Sequence, residues 1–466
     1  MNKKIIIIII IIIFSIYSTL FFLENLPFHQ QGFDSYRHTA LVNSIFEENQ
    51  YNQNYFPGNS LNDPHIGPYF MSIKILNIVT DIEVFWLFYV FGLINMILLI
   101  TGLYLLGSIF FNKKFNFLFI ILFMLFPATG EFSSILINAH YPNILGFSIF
   151  LLIAAKTIKN NNFLQENPIL IIILTSLVFI SHFLSGLFLI LLIGLNELIN
   201  LLKEKKKKLL IKPLIVLFTL LIASLSWKYY NWISYLIYST PIQTDTLHSL
   251  PLDIIGIISM LSIGIIGIIG FFLEKKNNLL PSKLFLIISI VGLLSFITPF
   301  RLAMYWRIID FIKPFGMVGL IILFKKNYNK ISKIAIQILI LVLLIQNTIV
   351  ISNILASDNK FERFNKFADV IPEDSIVYAG PYESYNLAGL KRINTIVYPS
   401  DHTNVYTLGV STKNTEKYSQ FINGKLDFSS LNLTTDYILI PTRKAHKLPH
   451  YCSITQDEIY SLLKKC

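Results

Sequence analysis

The stretch VFWLFYVFGLINMILLITGLYLLGSIF, residues 84–110, carries no charged side chain. An apolar run of about 20 residues is long enough to cross the hydrocarbon core of a bilayer as an α-helix, so this stretch predicts a membrane span. The whole chain of 466 residues is 54% hydrophobic and 14% charged, which is more apolar than a water-soluble chain of this size can bury. The sequence therefore predicts a polytopic α-helical membrane protein.

Ten further segments have the same apolar character, and short connections rich in lysine separate several of them. The positive-inside rule places such connections in the cytoplasm. With the N-terminus inside, about eleven transmembrane helices put every lysine cluster on that side and the C-terminus outside. The predicted spans are Lys4 to Leu23, Val84 to Phe110, Phe115 to Ala128, His140 to Ile158, Pro168 to Ile180, Phe183 to Leu202, Leu209 to Trp227, Leu252 to Phe272, Lys283 to Thr298, Met304 to Phe324 and Ile331 to Leu355.

Two apolar segments near the N-terminus need separate treatment. The first run of isoleucines continues to Leu23 without a small-residue cleavage site, so we predict a retained anchor. The segment Ile66 to Val79 would place Lys113 and Lys114 outside if it crossed the membrane. We therefore expect it to lie at the membrane interface as a helix of the first outer loop, residues 24–83.

The basic charge of the chain follows its membrane topology. The chain has 38 Lys and Arg against 27 Asp and Glu, a formal charge of +11, but the part from residue 357 onward is nearly neutral. The excess therefore lies in short connections between spans, which argues against a nucleic-acid partner. The clusters in these connections are Lys113 with Lys114, Lys156 with Lys159, Lys203 with 205–208, Lys275 with Lys276 and Lys325 with Lys326.

The composition changes near residue 357, where turn residues and mixed charges replace the apolar runs. We therefore divide the chain into a transmembrane domain, 1–356, and a small extracytoplasmic α/β domain, 357–466. Cys452 and Cys466 lie in the second domain. The sequence does not decide whether they form a disulfide or remain two free thiols. The predicted strands are Ser375 to Ala379, Thr395 to Tyr398 and Tyr437 to Ile440, and the predicted helices are Ser384 to Leu390, Lys413 to Phe421 and Thr455 to Lys464.

Polar residues gather at the outer ends of the predicted spans, and the most informative group follows the first span. The stretch GFDSYRHTALVNSIFEE, residues 32–48, puts Asp34 and His38 four residues apart, on one face of a helix. A carboxylate at the membrane boundary can accept a proton from an attacking hydroxyl group or hold a metal ion. It can equally cap the N-terminus of a helix, and the spacing alone does not separate these roles.

A second acidic residue, Glu131, lies in the short second outer loop, PATGEFSSILINAHYPN, residues 127–143. The short loop holds Glu131 near the membrane, so we expect it to lie close to Asp34, although a loop glutamate is more often simply solvated. We predict that Asp34 and Glu131 are the catalytic residues. They would also be the metal ligands if a divalent ion such as Mg²⁺ or Mn²⁺ takes part, although the sequence establishes no cofactor.

The predicted substrate-binding residues are histidines, arginines and a tyrosine of the outer side. His182 stands at a hinge between two spans, where a purely structural interfacial histidine is the alternative. Arg307 carries the planar guanidinium that suits phosphate oxygens, but Asp310 three residues later also fits a simple ion pair, and Lys313 completes this charge cluster. The full set is Tyr36, Arg37, His38, His65, His140, His182, Arg301 and Arg307.

An acidic first outer loop, many spans and an outer C-terminal domain resemble the GT-C superfamily of membrane glycosyltransferases. The resemblance rests on Gly32-Phe33-Asp34-Ser35-Tyr36 with His38, on Glu131 and, less specifically, on Ser181-His182. Enzymes of this superfamily take a sugar from a polyprenyl-phosphate or polyprenyl-diphosphate carrier. The resemblance implies that Asp34 is the general base or its positioning partner, that Glu131 is a second acid, and that Arg301 or Arg307 is the phosphate clamp.

Two departures leave the acceptor open among a glycan, a lipid and a protein. The Trp-Trp-Asp signature of the branch that glycosylates asparagine does not occur in this sequence. Ser35 follows Asp34, whereas the protein O-mannosyltransferase branch has a glutamate after the aspartate.

The sequence thus predicts an inverting glycosyltransferase of the plasma membrane with its active site on the outer face. Its donor would be a polyprenyl-phosphate-linked sugar, and positioning with charge neutralisation would supply much of the rate. A transporter or flippase of a lipid-linked saccharide is the alternative, although such proteins tend to show internal repeats and broken spans. A scaffold held in the membrane ranks last, because eleven spans are excessive for anchoring.

Overall fold

A computed structural model of the chain describes residues 38–39, 42–43, 68–125, 142–160, 163–181, 183–204, 265–271, 283, 305–326, 334, 337–338, 341, 345, 360–391, 393–395, 416–427, 435–445, 448 and 450–466. The chain divides into two compact units. The first unit comprises Met1–Ser18, Val90–Trp227 and Thr240–Leu355, and the second comprises Thr19–Tyr89, Lys228–Ser239 and Ala356–Cys466. The predicted first outer loop, residues 24–83, thus falls in the same unit as the C-terminal residues, and the division into domains at residue 356 stays a prediction.

Helices dominate the described residues before residue 357. They are α1 Pro68–Thr80, α2 Val84–Phe110, α3 Lys113–Leu125, α4 Pro142–Lys159, α5 Phe163–Glu166, α6 Pro168–Ser181, α7 Phe183–Glu204, α8 residues 265–271 and α9 Tyr305–Lys326. Helix α2 coincides with the predicted span over residues 84–110 and is, within the described part of the chain, long and apolar enough to cross a membrane. The total number of spans and their topology stay predictions.

Helix α1 corresponds to the segment predicted to lie at the membrane interface. It has 13 residues, so it is roughly 20 Å long and shorter than a span. Its C-terminal half leaves Ile78 and Val79 60% and 75% exposed, which suits a helix lying at an interface. Asp81, with φ of 56°, separates α1 from α2. The interfacial placement itself stays a prediction.

Within the first unit, helix ends that lead into lysine clusters come together. Phe110 at the end of α2 contacts Phe271, the last described residue of α8, with 5.8 Å between the ring centroids. Helix α8 also touches α9 at Gly319, about two turns before the lysines that end α9. The clusters that follow these contacts in the sequence are Lys113 with Lys114, Lys275 with Lys276 and Lys325 with Lys326. This arrangement is what a common cytoplasmic side for the three clusters requires.

Helices α8 and α9 pack backbone against backbone at three glycines. A Cβ atom at Gly319 would lie 2.5 Å from Cα of Gly267, and one at Gly270 would collide with the carbonyl oxygen of Gly319. Small residues allow such close crossing, which is a common way for helices to associate in membranes.

Gly319→Ala is therefore expected to destabilise the helical part by about 1–3 kcal/mol, because the added methyl group forces α8 and α9 apart. Gly194→Ala is the matched control, since a Cβ at Gly194 in α7 meets no atom within 4 Å. Thermal unfolding in detergent measures both variants. Equal melting temperatures for the two would contradict the close crossing.

The C-terminal domain contains a mixed sheet with helices around it. Strand order is β2-β1-β3-β5-β4, with β1 parallel to β2 and β3, and β5 antiparallel to both β3 and β4. This is the small α/β part that the sequence predicts. The elements are α10 Lys360–Val370, β1 Ile376–Tyr378, α11 Pro381–Leu390, β2 Asn394–Thr395, α12 residues 416–422, β3 Tyr437–Pro441, α13 Thr442–Ala445, β4 Tyr451–Gln456 and β5 Tyr460–Lys465.

Both faces of this sheet are covered. Successive residues of a strand point to opposite faces, so Val377 and Tyr378 of β1 belong to two different apolar clusters. One cluster includes Leu387 of α11 together with residues of α10, and the other includes Phe421 of α12. The sheet therefore lies between α10 and α11 on one side and α12 on the other.

The helix predicted over Thr455 to Lys464 is wrong, because this segment forms the hairpin of β4 and β5. The side chain of Asp457 accepts hydrogen bonds from the backbone N–H groups of Ile459 and Tyr460, at 2.7 and 2.6 Å, and so closes the turn. Strand β5 is interior to the sheet, and its Leu462 and Leu463 are buried on opposite faces. A strand buried on both faces loses the period-2 alternation, and its apolar run then looks like part of a helix.

Cys452 and Cys466 form a disulfide, which settles a choice that the sequence left open. Their Cα atoms are 5.3 Å apart, at the end of the hairpin where Cys452 pairs with Lys464. A disulfide persists in oxidising compartments, so it agrees with the predicted extracytoplasmic place of this domain.

Replacing both cysteines with serine is expected to destabilise the C-terminal domain by about 3 kcal/mol, because the bond closes a loop of 14 residues in the unfolded chain. Hydrogen exchange at the amides of β4 and β5 measures the loss. In intact cells, a membrane-impermeant maleimide should label the wild-type chain only after reduction. Labelling without reduction would contradict the bond.

Candidate functional site

The predicted first-loop helix rests on α1. Residues 38–39 and 42–43 are helical, and the four-residue spacing brings His38 and Val42 to one face. The ring of the half-buried His38 lies 4.8 Å from that of Phe70, which is itself 1% exposed. Val42 is fully buried. His38 is therefore held on an apolar support and presents an imidazole that can contact a ligand.

A hydrogen bond further joins this segment to α1. Lys74 of α1 donates from Nζ to the backbone carbonyl oxygen of Asn43 at 2.9 Å. The ammonium group is a strong donor to this carbonyl oxygen. The contact orients the segment that follows Asp34 in the sequence.

In the first unit, α9 carries the charge cluster noted in the sequence. It contains Arg307, Asp310 and Lys313, with Pro314 inside the helix. Proline has no N–H to donate, so the backbone carbonyl of Asp310 loses its helical partner. Lys313 lies roughly 12 Å along the axis from Tyr305 and roughly 20 Å from the lysine end of the helix. The cluster is therefore nearer to the end that we expect to face outward.

Lys313 is buried, with 1% of its surface exposed, and its Nζ lies 4.5 Å from the centroid of the Phe123 ring. A desolvated cation–π contact contributes about 2 kcal/mol. A lysine at the centre of a membrane helix costs about 3 kcal/mol. A charge inside a membrane helix is by default a candidate for function.

An aromatic layer surrounds the same turn of α9. Phe311 contacts Phe188 with 4.4 Å between ring centroids, and Phe147 and Phe150 each at 5.2 Å. Phe147 in turn contacts Phe123, the residue beneath Lys313, at 6.3 Å. These rings come from α3, α4, α7 and α9. They exclude water from this level of the bundle, and a charge next to them acts with less screening.

Most of the predicted site lies outside the described residues. The side chain of Arg307 is outside the described part, although its backbone belongs to α9. Helix α6 ends at Ser181 and helix α7 begins at Phe183, directly before and after His182. The predicted convergence of Asp34 with Glu131 stays a prediction. Wholly outside the described ranges are Asp34, Tyr36, Arg37, His65, Glu131, His140, His182 and Arg301.

Lys313 is the functional candidate that the sequence-based set omitted. Its signal in the sequence was a charge inside an apolar segment, which we interpreted as part of an ion-pair cluster rather than as a site residue. The expected metal ligands, Asp34 and Glu131, lie outside the described residues. Among the residues that the structure does describe, no group of three acidic, histidine or cysteine side chains is arranged to hold a metal ion.

No protein-family model matches the chain, and no curated protein sequence matches it. Solved structures of other proteins are similar over most of its length. The oligosaccharyltransferase of Archaeoglobus fulgidus, crystallised with Zn and sulfate, is 14% identical with a TM-score of 0.53, over 95% of this chain and 71% of that one. ArnT from Cupriavidus metallidurans, in the apo state, is 10% identical with a TM-score of 0.55, over 92% of each chain.

At identities this low the similarity concerns the fold. It agrees with the fold that the acidic first loop and the succession of spans had predicted. Over most of its length, the chain has a fold similar to that of the polytopic GT-C membrane enzymes.

Proposed function

We propose that this chain is a glycosyltransferase that moves a sugar from a polyprenyl-phosphate carrier to an acceptor on the outer face of the plasma membrane. The similarity of fold to two GT-C enzymes, over more than nine-tenths of the chain, carries the proposal. The buried cation of α9 supports it, because a lipid phosphate needs a positive charge at the edge of the hydrocarbon.

The proposed reaction is a single in-line displacement. An acceptor hydroxyl oxygen attacks the anomeric carbon and loses its proton to Asp34. The new bond to the acceptor oxygen forms as the bond between the anomeric carbon and the phosphate oxygen breaks, and its electron pair leaves with the lipid phosphate. Attack from the side opposite the phosphate inverts the anomeric configuration. Glu131 acts as the second acid that positions the acceptor or Asp34.

Charge neutralisation of the leaving phosphate is the second part of the proposal. Arg301 or Arg307 can bind its oxygens bidentately, and Lys313 supplies a point charge from within α9. A divalent ion held by Asp34 and Glu131 would add a further positive charge at the phosphate. The residues proposed to contact the donor or the acceptor are Tyr36, Arg37, His38, His65, His140 and His182.

A flippase for a lipid-linked saccharide is the second candidate. It is favoured by one observation, the presence of Pro314 inside α9 directly after the buried Lys313. Proline removes one backbone hydrogen bond of the helix there, and helices weakened near a buried charge occur in transporters.

One experiment separates the two functions. The purified chain is reconstituted in vesicles with a panel of polyprenyl-phosphate hexoses, together with short oligosaccharides as acceptors, with and without a chelator. A transferase releases free polyprenyl phosphate and a lengthened saccharide, which mass spectrometry detects. A flippase changes the membrane side of an intact donor. Movement of the donor without cleavage, in the presence of every acceptor, would refute the transferase.

A further inference from the structure

The sheet of the C-terminal domain reverses its winding direction between β1 and β3. The chain passes from β1 through α11 to β2 on one side, and through α12 to β3 on the other side of β1. Crossovers between parallel strands are right-handed, which agrees with α11 and α12 lying on opposite faces. At such a reversal the connections at the carboxyl ends of the strands diverge and leave a crevice, which is where α/β domains bind ligands.

The carboxyl end of β1 is crowded by polar groups. A Cβ atom at Gly380, which precedes α11, would collide with Oε2 of Glu383 and would lie 3.0 Å from the hydroxyl oxygen of Tyr418. Glycine is therefore required here, because it lets a carboxylate from α11 and a phenol from α12 approach the backbone. The two groups come from opposite faces of the sheet and meet at its edge.

A third element contributes to the same place. Tyr460, the first residue of β5, donates its hydroxyl hydrogen to Oε1 of Glu383 at 2.5 Å. Among the described residues, no other hydrogen bond reaches this carboxylate. The side chains of Glu383, Tyr418 and Tyr460 are each partly exposed.

The protonation of the two phenols makes them hydrogen-bond donors. Burial first, and then the negative charge of Glu383, raises the pKa of Tyr418 far above its usual range. The same two causes raise the pKa of Tyr460. Both phenols therefore keep their protons at physiological pH beside the side chain of Glu383.

This combination selects the ligand. A phosphate would be repelled by the Glu383 carboxylate, and Arg363, which also influences Tyr460, is paired with Asp457 at 3.0 Å. A metal ion would need more ligands than one carboxylate offers. Sugar hydroxyl groups can donate to the carboxylate and to the hydroxyl oxygen of Tyr460, and can accept from the phenol of Tyr418, and convergent polar groups beside aromatic rings suit them.

We propose that Glu383, Tyr418 and Tyr460 form a binding subsite for the hydroxyl groups of a neutral saccharide. The identification of this saccharide as the acceptor glycan rests on the proposed transferase function. It is supported by the membership of this domain in the same compact unit as residues 19–89, which include the acidic first loop.

Saturation-transfer NMR on the full chain in nanodiscs tests the subsite directly. The probes are N-acetylglucosamine, methyl α-mannoside and methyl α-glucoside, with inorganic phosphate as the anionic probe. We expect at least one sugar to bind and phosphate not to compete. Glu383→Gln and Tyr418→Phe should each weaken sugar binding about tenfold, because each removes a hydrogen bond to or from the site.

Glu373→Gln is the control, since Glu373 is exposed in the turn before β1, at the opposite end of that strand. It should leave binding unchanged. If Glu383→Gln lowers the melting temperature, its loss of sugar binding could reflect unfolding. The binding measured for Tyr418→Phe then decides whether the subsite exists, because that substitution removes only a hydroxyl group. Asp34→Asn should keep sugar binding even without transfer, which separates this subsite from the proposed chemistry. The proposal would be overturned if the wild type bound no sugar, if Glu383→Gln and Tyr418→Phe both bound sugar as tightly as the wild type, or if phosphate competed with the sugar.

Discussion

Asp34→Asn is expected to reduce sugar transfer by about 10²- to 10⁴-fold while the amount of folded protein stays normal. Asparagine has nearly the same shape as aspartate but cannot take the proton of the attacking hydroxyl group. The substitution also separates the two roles that the sequence left open. Asparagine caps a helix as well as aspartate does, so a residue with only a capping role would tolerate the change. Release of polyprenyl phosphate per folded protein measures the effect.

Asp81→Asn is the matched control for this substitution. Asp81 is exposed between α1 and α2 and has φ of 56°, a left-handed conformation that asparagine also adopts readily. Its replacement should change neither folding nor transfer. Wild-type turnover in Asp34→Asn would remove Asp34 from the mechanism and with it the proposed base.

Lys313→Met is expected to lower transfer by about 10²- to 10³-fold, the effect of removing one group that stabilises developing charge. Methionine has a similar length and keeps the packing against Phe123. Replacing a buried charge with an apolar side chain is often neutral or stabilising, so the melting temperature should stay the same or rise. Activity and stability should therefore move in opposite directions. Lys313→Arg keeps the charge and should retain more activity than Lys313→Met.

Lys325→Met is the control on the same helix, because Lys325 is exposed at its lysine-rich end. It should leave turnover unchanged. A Lys313→Met variant that transfers sugar at the wild-type rate would show that the buried cation is structural. A Lys313→Met variant that loses both folding and activity would also contradict the prediction, which is that activity falls while stability is kept.

Helix positions in the membrane part could be predicted because a span needs only local information. Hydrocarbon thickness and the cost of charges act on each segment separately. The predicted span Phe183 to Leu202 is therefore close to the observed helix Phe183–Glu204, and the predicted Pro168 to Ile180 is close to Pro168–Ser181. Such agreement requires no knowledge of neighbouring helices.

The candidate site was less accessible from sequence. The charge of Lys313 inside an apolar segment was visible, but its burial against Phe123 depends on how α3 and α9 pack. The subsite at Gly380 gave no recognisable pattern, because Glu383, Tyr418 and Tyr460 are separated by 35 and 42 residues in the chain. The similarity to GT-C enzymes concerns the fold alone, so the reaction and the roles of individual residues in the first and second outer loops stay predictions.

The sequence by itself determined that this protein is mostly helical, that residues 84–110 form an apolar helix long enough to cross a membrane, and that the residues after 357 form a small α/β domain. Apolar length, lysine position and strand or helix periodicity express these properties within single segments. Only the tertiary structure decided that Leu462 and Leu463 lie in an interior strand, that Cys452 and Cys466 are bonded, and that Lys313 is buried. These features depend on which elements become neighbours, and that choice follows from the packing of the whole domain rather than from the preference of any one segment.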